Sequence, residues 1–239
     1  MSSSSSTSNS NTTDRAGPIA RLEAALDYRF RDIALLEQAL THKSHGRPHN
    51  ERLEFLGDAV LGYVVADRLY RARPGEHEDS LSLIRASLVR KETLADVAGE
   101  LSLGVHLRLG LGERKSGGHR RPSLLANALE AIIGAVHLDG GIEAATALVD
   151  RLLGARMAGA SAAAAKDPKT RLQELLQGAN LPLPEYTIEE TAGVAHARTF
   201  SVSCRVAAFD RVVVANGPSR RAAEIEAAAL MLEQVADLV

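Results

Sequence analysis

The chain has 239 residues, a formal net charge of −2 and a single cysteine. Its length allows two ordinary domains, each able to bury a core of its own. One cysteine excludes an intramolecular disulfide, and the near-neutral charge means that any polyanionic partner must be bound by local basic clusters. We find no apolar stretch near the roughly 18 to 20 residues that span a bilayer, and we expect a soluble, cytoplasmic protein without a membrane partner.

The N-terminal segment, residues 1–17, begins with "MSSSSSTSNSNTTD". Ser, Asn and Thr cannot bury enough apolar surface to order a chain. The segment also lacks the basic start and the apolar centre of a secretory signal. We therefore expect a disordered tail.

Residues 18–153 carry the repeating pattern of amphipathic helices. Apolar residues recur at spacings of three and four in "RLEAALDYRF", "IALLEQAL", "LSLIRASLVRKETLADVAGEL" and "SLLANALEAIIGAVHL". This period is typical of α-helices that turn their apolar faces towards a common core. The pattern predicts an all-α domain.

The composition changes after residue 153. Residues 154–166 are rich in Gly, Ala and Ser, which favours a linker. In residues 167–237, the helix-like "PKTRLQELLQ" is followed by strand-like "EYTIEET", "RTFSVSCRVAAF" and "RVVVAN", and a last helix begins after Ser219. The two-residue period of the middle strand places Cys204 in the core. This order predicts an α+β (α-β-β-β-α) domain.

One predicted helix, "NERLEFLGDAVLGYVV", carries acids within an apolar run. At about 100° per residue, Glu51, Glu54 and Asp58 share an arc of roughly 60°. The remaining positions are apolar nearly all round, which predicts a helix surrounded by protein. Carboxylates crowded into such a place cost several kcal/mol unless they are neutralised, paired or bound to a metal.

A second predicted helix, "SLLANALEAIIGAVHL", repeats this arrangement. Asn127 and Glu130 are three residues apart and are almost its only polar side chains. Gly62 follows Asp58 by four residues and Gly134 follows Glu130 by four, so each acid has a bare helical turn beside it. We expect the two helices to face each other at these turns.

Together the two helices supply hard oxygen ligands from Glu54, Asp58, Asn127 and Glu130. Such a set suits Mg²⁺ or Mn²⁺ better than zinc, and these ions often serve phosphate chemistry. Other interpretations remain open: Glu51 interacts with the helix dipole, or Glu54 pairs with Arg85 or Arg90.

Two motifs carry a resemblance to a known family. "NERLEFLGDAVL" resembles the signature helix of the bacterial ribonuclease III family, and "GERKSGGHRRPSLLANALEAIIGAVHLD" resembles its second block. The resemblance extends from about residue 19 to 237, since the α-β-β-β-α segment is similar to the family's double-stranded RNA-binding domain. It implies two domains, an all-α endonuclease domain followed by that RNA-binding domain.

The activity that this resemblance implies is the metal-dependent hydrolysis of phosphodiesters in double-stranded RNA. It leaves 5′-phosphate and 3′-hydroxyl ends with short 3′ overhangs, because a homodimer with one cutting site per subunit staggers its two cuts. The resemblance also implies roles in ribosomal RNA precursor processing and in the turnover of structured messages.

The family's metal and catalytic positions fall on this chain residue by residue. They are Glu54, Asp58, Asn127 and Glu130, with Asp58 and Glu130 expected to contribute most to catalysis and Glu51 as an additional acid nearby. Asn127 stands where many members carry an aspartate. Its amide oxygen can bind Mg²⁺ but adds no negative charge, so weaker metal binding is expected.

The resemblance also assigns RNA contacts. Residues 166–239 contain eight Lys and Arg against ten Asp and Glu, so phosphate contacts must be concentrated at the start of the last helix, where the helix dipole favours anions. The expected contacts are Thr170, Gln173, Glu174, His196, Ser219, Arg220 and Arg221. A Gly-rich loop adds Arg114, Lys115, Arg120 and Arg121. An ordinary solvated surface would explain these basic residues equally well.

Two other functions remain possible from the sequence. In the first, the chain binds double-stranded RNA without cutting it and its helical domain only dimerises, for which Asn127 is the support. In the second, a helical phosphohydrolase acts on small nucleotides, but this leaves the appended RNA-binding domain unexplained.

Overall fold

The structure is a computed structural model that describes residues 17–192, 198–236 and 238. The expected tail up to residue 16 and the predicted RNA contact His196 lie outside these residues. The chain divides into two compact units, Met1–Ala160 and Ser161–Val239.

The first unit is built from α-helices, as predicted. Their starts follow local sequence signals: Pro18 and Pro122 each occupy an early helical position, and the Asp32 side chain accepts a hydrogen bond from the Ala34 amide. The helices are α1 (Pro18–Leu26), α2 (Ile33–Ala39), α3 (Glu51–Ala72), α4 (Glu78–Val89), α5 (Lys91–Glu100), α6 (Leu111–Lys115) and α7 (Pro122–Gly159).

The contact between α3 and α7 forms the centre of this unit. A Cβ atom added at Gly57 would lie 1.7 Å from the Glu130 carbonyl oxygen, and one added at Gly134 would lie 2.3 Å from the Leu53 carbonyl oxygen. The two backbones therefore touch, and the prediction that these helices face each other is confirmed.

The prediction that Gly62 is the α3 glycine at the close approach of the two helices was wrong. A Cβ atom at Gly62 would meet no atom within 4 Å, whereas Gly57 makes the close approach. The reason is rotational: Gly57 lies in the middle of the arc that carries the buried Leu53, Val60 and Leu61, and Gly62 lies about 140° away from it.

The helix α7 is longer and more apolar than the sequence analysis allowed. By length and composition it could cross a membrane, the one helix among the described residues that could. Residues 131–136 are all buried in the unit, and the buried core helix of a globular domain has the same composition. The chain continues past a break at Gly141, where φ is +83°, a conformation that favours glycine.

The segment predicted as a linker, 154–166, is largely helical. Residues up to Gly159 continue α7, with Met157 buried, and Arg73 Nη2 donates to the carbonyls of Met157 (3.0 Å) and Ala160 (2.6 Å). These bonds satisfy carbonyls that the helix end leaves without amide partners. A short helix, α8 (Ala162–Ala165), follows.

The second unit has the predicted α-β-β-β-α order. Three antiparallel strands lie in the order β1-β2-β3, and the side chains of two helices cover one face. Cys204 is fully buried there, as predicted. The middle strand ends at Val206 and a 3-10 turn follows. The elements are α9 (Pro168–Gly178), β1 (Glu185–Ala192), β2 (Thr199–Val206), β3 (Arg211–Gly217) and α10 (Arg220–Val235).

Candidate active site

The acids of α3 lie along one edge of the α3–α7 contact. Glu54 is half-buried, whereas Asp58 is exposed. Glu51, in the first helical turn, forms an ion pair with Lys43 (2.9 Å), so its charge is already partly balanced. Glu54 and Asp58 are therefore the α3 acids that remain available to a ligand.

Glu54 faces α7 directly. Burial raises the pKa of Glu54, the negative charges of Glu51 and Asp58 raise it further, and a hydrogen bond from the Asn127 side chain opposes both. This hydrogen bond links the acid of one helix to the amide of the other. Arg90, considered as a partner for Glu54, instead donates from Nε to Thr93 Oγ1 (3.3 Å).

Glu130 is the most perturbed acid of the site. Burial, followed by the charges of Asp58 and Glu54, raises its pKa from 4.5 to about 7. The effect of Asp58 and Glu54 means that acids from both helices lie close enough to repel one another. A site with this repulsion favours a proton or a cation.

The expectation that α3 is surrounded by protein was wrong for the single chain. Its aromatic side chains are exposed along one stripe: Phe55 is 79% exposed, Tyr63 60% and Tyr70 75%. Apolar side chains occupy two faces of the helix, and α7 covers one of them. The acids lie on the border between the covered face and this aromatic stripe. They are therefore more exposed to solvent than predicted.

The carboxylates face one another but are not arranged as a complete set of metal ligands. Within the described parts of the chain, no three His, Cys, Asp or Glu side chains are gathered closely enough to hold a metal ion together. The chemistry of the donors fits a hard divalent cation, since Glu54, Asp58 and Glu130 offer carboxylates and Asn127 an amide oxygen.

The Gly-rich loop before α7 is organised by an acid that the sequence analysis missed. The Glu113 carboxylate pairs with Arg121 Nη1 (3.0 Å), and Arg121 Nη2 also donates to Ser116 Oγ (3.3 Å). Arg121 is thus engaged within the loop. All four predicted basic residues are exposed, and the other three are Arg114, Lys115 and Arg120.

In the second unit, a cavity of about 470 Å³ brings four predicted RNA contacts together. It lies between the starts of α9 and α10. Its lining residues are Asp167, Lys169, Thr170, Gln173, Arg220, Arg221, Glu224 and Ile225.

Two other predicted contacts in this unit have structural partners. Glu174 binds the Lys166 ammonium through both oxygens (2.5 and 2.6 Å). Ser219 caps α10, since its hydroxyl accepts a hydrogen bond from the Ala222 amide (3.2 Å). Ser219 thereby fixes the position of the helix start on which Arg220 and Arg221 lie.

The sequence analysis missed the charged pair Lys169 and Glu224 in this cavity. Lys169 Nζ lies 2.7 Å from Glu224 Oε2, and Arg220 Nε lies 2.8 Å from Glu224 Oε1. The spacing of Arg220 and Glu224, four residues apart on one helix, was a visible signal. The partner on α9 was not visible, because it is 55 residues away in sequence.

Two family models match the chain, one for each unit. The model described as "Ribonuclease-III-like" matches residues 32–156. The model described as "Double-stranded RNA binding motif" matches residues 168–235. The first match includes the acids of α3 and α7, and the second includes the cavity between α9 and α10.

Curated relatives match nearly the whole chain. The Ribonuclease 3 of Aromatoleum aromaticum is 53% identical over 92% of this chain and 98% of its own length. The Ribonuclease 3 of Vibrio campbellii is 50% identical over 91% of this chain and 97% of its own.

A solved structure matches the first unit. The nuclease domain of ribonuclease III from Campylobacter jejuni, described as flexible in a region involved in dimer formation, is 46% identical. It covers 57% of this chain and 96% of its own, with a TM-score of 0.56. With the acids of α3 and α7 and the RNA-binding fold on one chain, these matches lead to one conclusion: the chain belongs to the ribonuclease III family of endoribonucleases.

Proposed function

We propose that the chain is a divalent-metal-dependent endonuclease that hydrolyses phosphodiesters in double-stranded RNA and leaves 5′-phosphate and 3′-hydroxyl ends with short 3′ overhangs. The observation that carries the proposal is the opposition of Glu54 and Asp58 to Glu130 across the α3–α7 contact. We assign the endonuclease domain to residues 18–153 and the RNA-binding domain to residues 167–237.

The proposed cofactor is Mg²⁺, with Mn²⁺ as a substitute. Glu54, Asp58, Asn127 and Glu130 would hold it, since all four offer the hard oxygen atoms that these ions prefer. When bound, the ion supplies Lewis acidity at the scissile phosphate and lowers the pKa of a coordinated water. The raised pKa of Glu130 supports this assignment, because burial and the negative charges of Asp58 and Glu54 both disfavour its carboxylate, and a cation at the same place would stabilise it.

The protein side chains contribute position and charge. Asp58 and Glu130 provide most of the negative charge that the ion requires, one from each helix. The Asn127 side chain lowers the pKa of Glu54 and so favours the ionised carboxylate that an ion would need. We place Glu51 outside the innermost ligands, since Lys43 already pairs with it.

Asn127 should make the site weaker than one with a fourth acid. We expect Asn127→Asp to shift the Mg²⁺ activation curve for RNA cleavage to lower concentrations, because it adds a negative charge beside Glu54. The measurement is the initial cleavage rate across a Mg²⁺ titration. An unchanged curve would remove position 127 from the ligand set.

Double-stranded RNA is the proposed partner of the second domain. Thr170 and Gln173 on α9 would contact 2′-hydroxyls and base edges, and Arg220 and Arg221 would contact phosphates at the start of α10. The exposed basic side chains before α7 give the first domain its own phosphate contacts. This arrangement reads the A-form shape of the duplex more than its sequence.

We further propose a homodimer with one cutting site in each subunit. The exposed stripe of Phe55, Tyr63 and Tyr70 supports this, since large aromatic side chains in a row are typical of an interface. Two sites related by symmetry would produce staggered cuts. Cellular roles in ribosomal RNA precursor processing and in turnover of structured RNA, in the cytoplasm, agree with the naming of the relatives as Ribonuclease 3.

The test of the function is cleavage of a long RNA duplex by the purified chain. With Mg²⁺ we expect short duplex products with short 3′ overhangs, and we expect Glu130→Ala to bind the duplex without cutting it. If the unmodified chain binds the duplex but never cuts it with either Mg²⁺ or Mn²⁺, the protein is a binding protein and the proposal is wrong.

A further inference from the structure

An acid lies inside the proposed RNA-binding surface. Glu224, in the second turn of α10, has a side chain that is 10% exposed. A buried negative charge beside phosphate-binding arginines is unexpected, because it would repel the RNA backbone. Its contacts suggest what it does instead.

Glu224 holds two cations at once. Its Oε2 atom lies 2.7 Å from Lys169 Nζ, and its Oε1 atom lies 2.8 Å from Arg220 Nε. Lys169 belongs to the first turn of α9, whereas Arg220 begins α10. The acid therefore ties together the two helix starts that line the cavity.

Lys169 is restrained from a second side as well. Its ammonium group lies 4.4 Å from the centre of the Tyr186 ring, at the start of β1. Cation–π contact and ion pairing together leave the lysine few alternative positions. Lysine is otherwise among the most flexible side chains, so its restraint requires such a pair of contacts.

The charges around Glu224 keep it ionised. Hydrogen bonds from Lys169 and Arg220 lower the pKa of Glu224 despite its burial. With both cations bound to one carboxylate, the group of three carries a net positive charge. Arg221 adds a positive charge to the same cavity and Asp167 a negative one, so the charged residues that line it stay positive by one unit in total.

We propose that Glu224 is a positioning residue for RNA binding, which fixes Lys169 and Arg220 in the wall of the cavity so that both meet the phosphate backbone. The inference rests on the proposed function, since it concerns the same double-stranded RNA. It assigns a phosphate contact to Lys169. It also reverses the simple electrostatic expectation, because removing this negative charge should weaken the binding of a polyanion.

The physical reason is preorganisation. A flexible lysine and arginine that must be ordered on binding lose conformational entropy at that moment, and this loss reduces the affinity. The ordering by Glu224 takes place when the domain folds. Without the acid, both cations remain charged but are no longer held at the positions where phosphates arrive.

The test compares Glu224→Gln with Glu226→Gln in the full chain. Glu226 is exposed on the same helix, so both variants remove one negative charge from α10. We would measure the affinity for an RNA duplex of about 20 base pairs in EDTA, across a salt titration. Glu224→Gln should bind about 5- to 20-fold more weakly, with a salt slope reduced by about one to two contacts, because both Lys169 and Arg220 are released. Glu226→Gln should bind as tightly as the unmodified chain or more tightly.

Lys169→Met supplies the second arm of the experiment. Methionine keeps the packing against Tyr186 and removes the charge. We expect the salt slope to fall by about one contact. We expect the loss of affinity in the double variant to be smaller than the sum of the two single losses, because the Lys169 contact is lost in both single variants and only the Arg220 contact remains for Glu224→Gln to remove. Additive losses would overturn the proposal.

The outcomes separate this inference from the proposed function. If the unmodified chain binds the duplex and Glu224→Gln binds as tightly as Glu226→Gln, the positioning role is wrong while RNA binding stands. A loss of affinity with an unchanged salt slope would mean that the substitution only loosens the domain, and it would also overturn the positioning role. A chain that does not bind the duplex at all would overturn both.

Discussion

Gly57 is the residue that lets α3 and α7 touch. A side chain there would collide with the backbone at Glu130, and that backbone carries the most perturbed acid of the candidate site. The residue at position 57 therefore affects both the packing of the two helices and the distance between their acids. The absence of a Cβ atom allows the two helices to bring their acids within electrostatic range.

We predict that Gly57→Ala destabilises the endonuclease domain by more than about 3 kcal/mol, because its Cβ atom would have to displace backbone rather than a flexible side chain. Gly62→Ala is the matched control, since a Cβ atom at that position meets open space. It should be neutral or stabilising by up to about 1 kcal/mol, as alanine favours helix. Denaturant unfolding measures the change in the free energy of unfolding for both variants. Equal effects would show that the helices do not approach as described.

Glu130 gives the metal-free protein a pH-dependent stability. Its pKa in the folded protein, about 7, lies above the ordinary value of 4.5. A raised pKa favours folding while the group is protonated, so this contribution is fully present below about pH 4.5 and is lost as the pH rises through about 7. The destabilisation near pH 8 comes first from the burial of the Glu130 carboxylate and then from its repulsion by Asp58 and Glu54, and a bound cation would offset both.

We predict that Glu130→Gln is more stable than the unmodified chain at pH 8 in EDTA, by about 1–2 kcal/mol after allowance for solvent screening. The advantage should shrink near pH 5, where both side chains are neutral. The measurement is denaturant unfolding at the two pH values, with the exposed Glu143→Gln on the same helix as control. If the stability difference between Glu130→Gln and the unmodified chain were the same at both pH values, the raised pKa of Glu130 would be contradicted.

The helix α3 has three faces with different roles. One packs on α7, one carries the acids, and one exposes the aromatic stripe of Phe55, Tyr63 and Tyr70. Because the acids lie on the border between the other two, a partner covering the aromatic stripe would also approach the candidate site. In the proposed dimer, the partner would therefore also change the environment of the acids.

We predict that Phe55→Glu converts a homodimer into monomers, because dimer formation would bury a charge within the aromatic stripe. Val105→Glu is the control, since Val105 is equally exposed (80%) but lies in a separate 3-10 helix. Sedimentation at micromolar protein concentrations would show whether each variant and the unmodified chain are dimers or monomers. The dimer interface is elsewhere if Phe55→Glu remains dimeric, and it does not exist if the unmodified chain is a monomer.

Much at the scale of elements could be predicted from the sequence. The apolar periods identified the helices, the two-residue period put Cys204 in the core, and Ser219 marked the start of α10. What could not be predicted depends on which face a neighbour covers. Phe55 and Leu53 are both apolar in the sequence, yet only Leu53 is buried in the single chain. The pairing of Glu224 with α9 was hidden for the same reason.

At the scale of the whole molecule, two units with separate cores carry complementary chemistry. The first gathers acids along α3 and α7, and the second gathers cations at the starts of α9 and α10. Negative charge suits a divalent cation, and positive charge suits a phosphate backbone. A single covalent chain thereby joins a proposed cutting site to a proposed duplex-binding surface.

The most direct test of the central claim is the binding of Mn²⁺ to the unmodified chain and to Glu130→Gln, measured by calorimetry at pH 7.5 without RNA. If the acids of α3 and α7 share an ion, the unmodified chain should bind Mn²⁺ and the variant should bind it at least about 100-fold more weakly, because a charged ligand is lost from the set. Equal Mn²⁺ affinity in the two proteins would contradict the account.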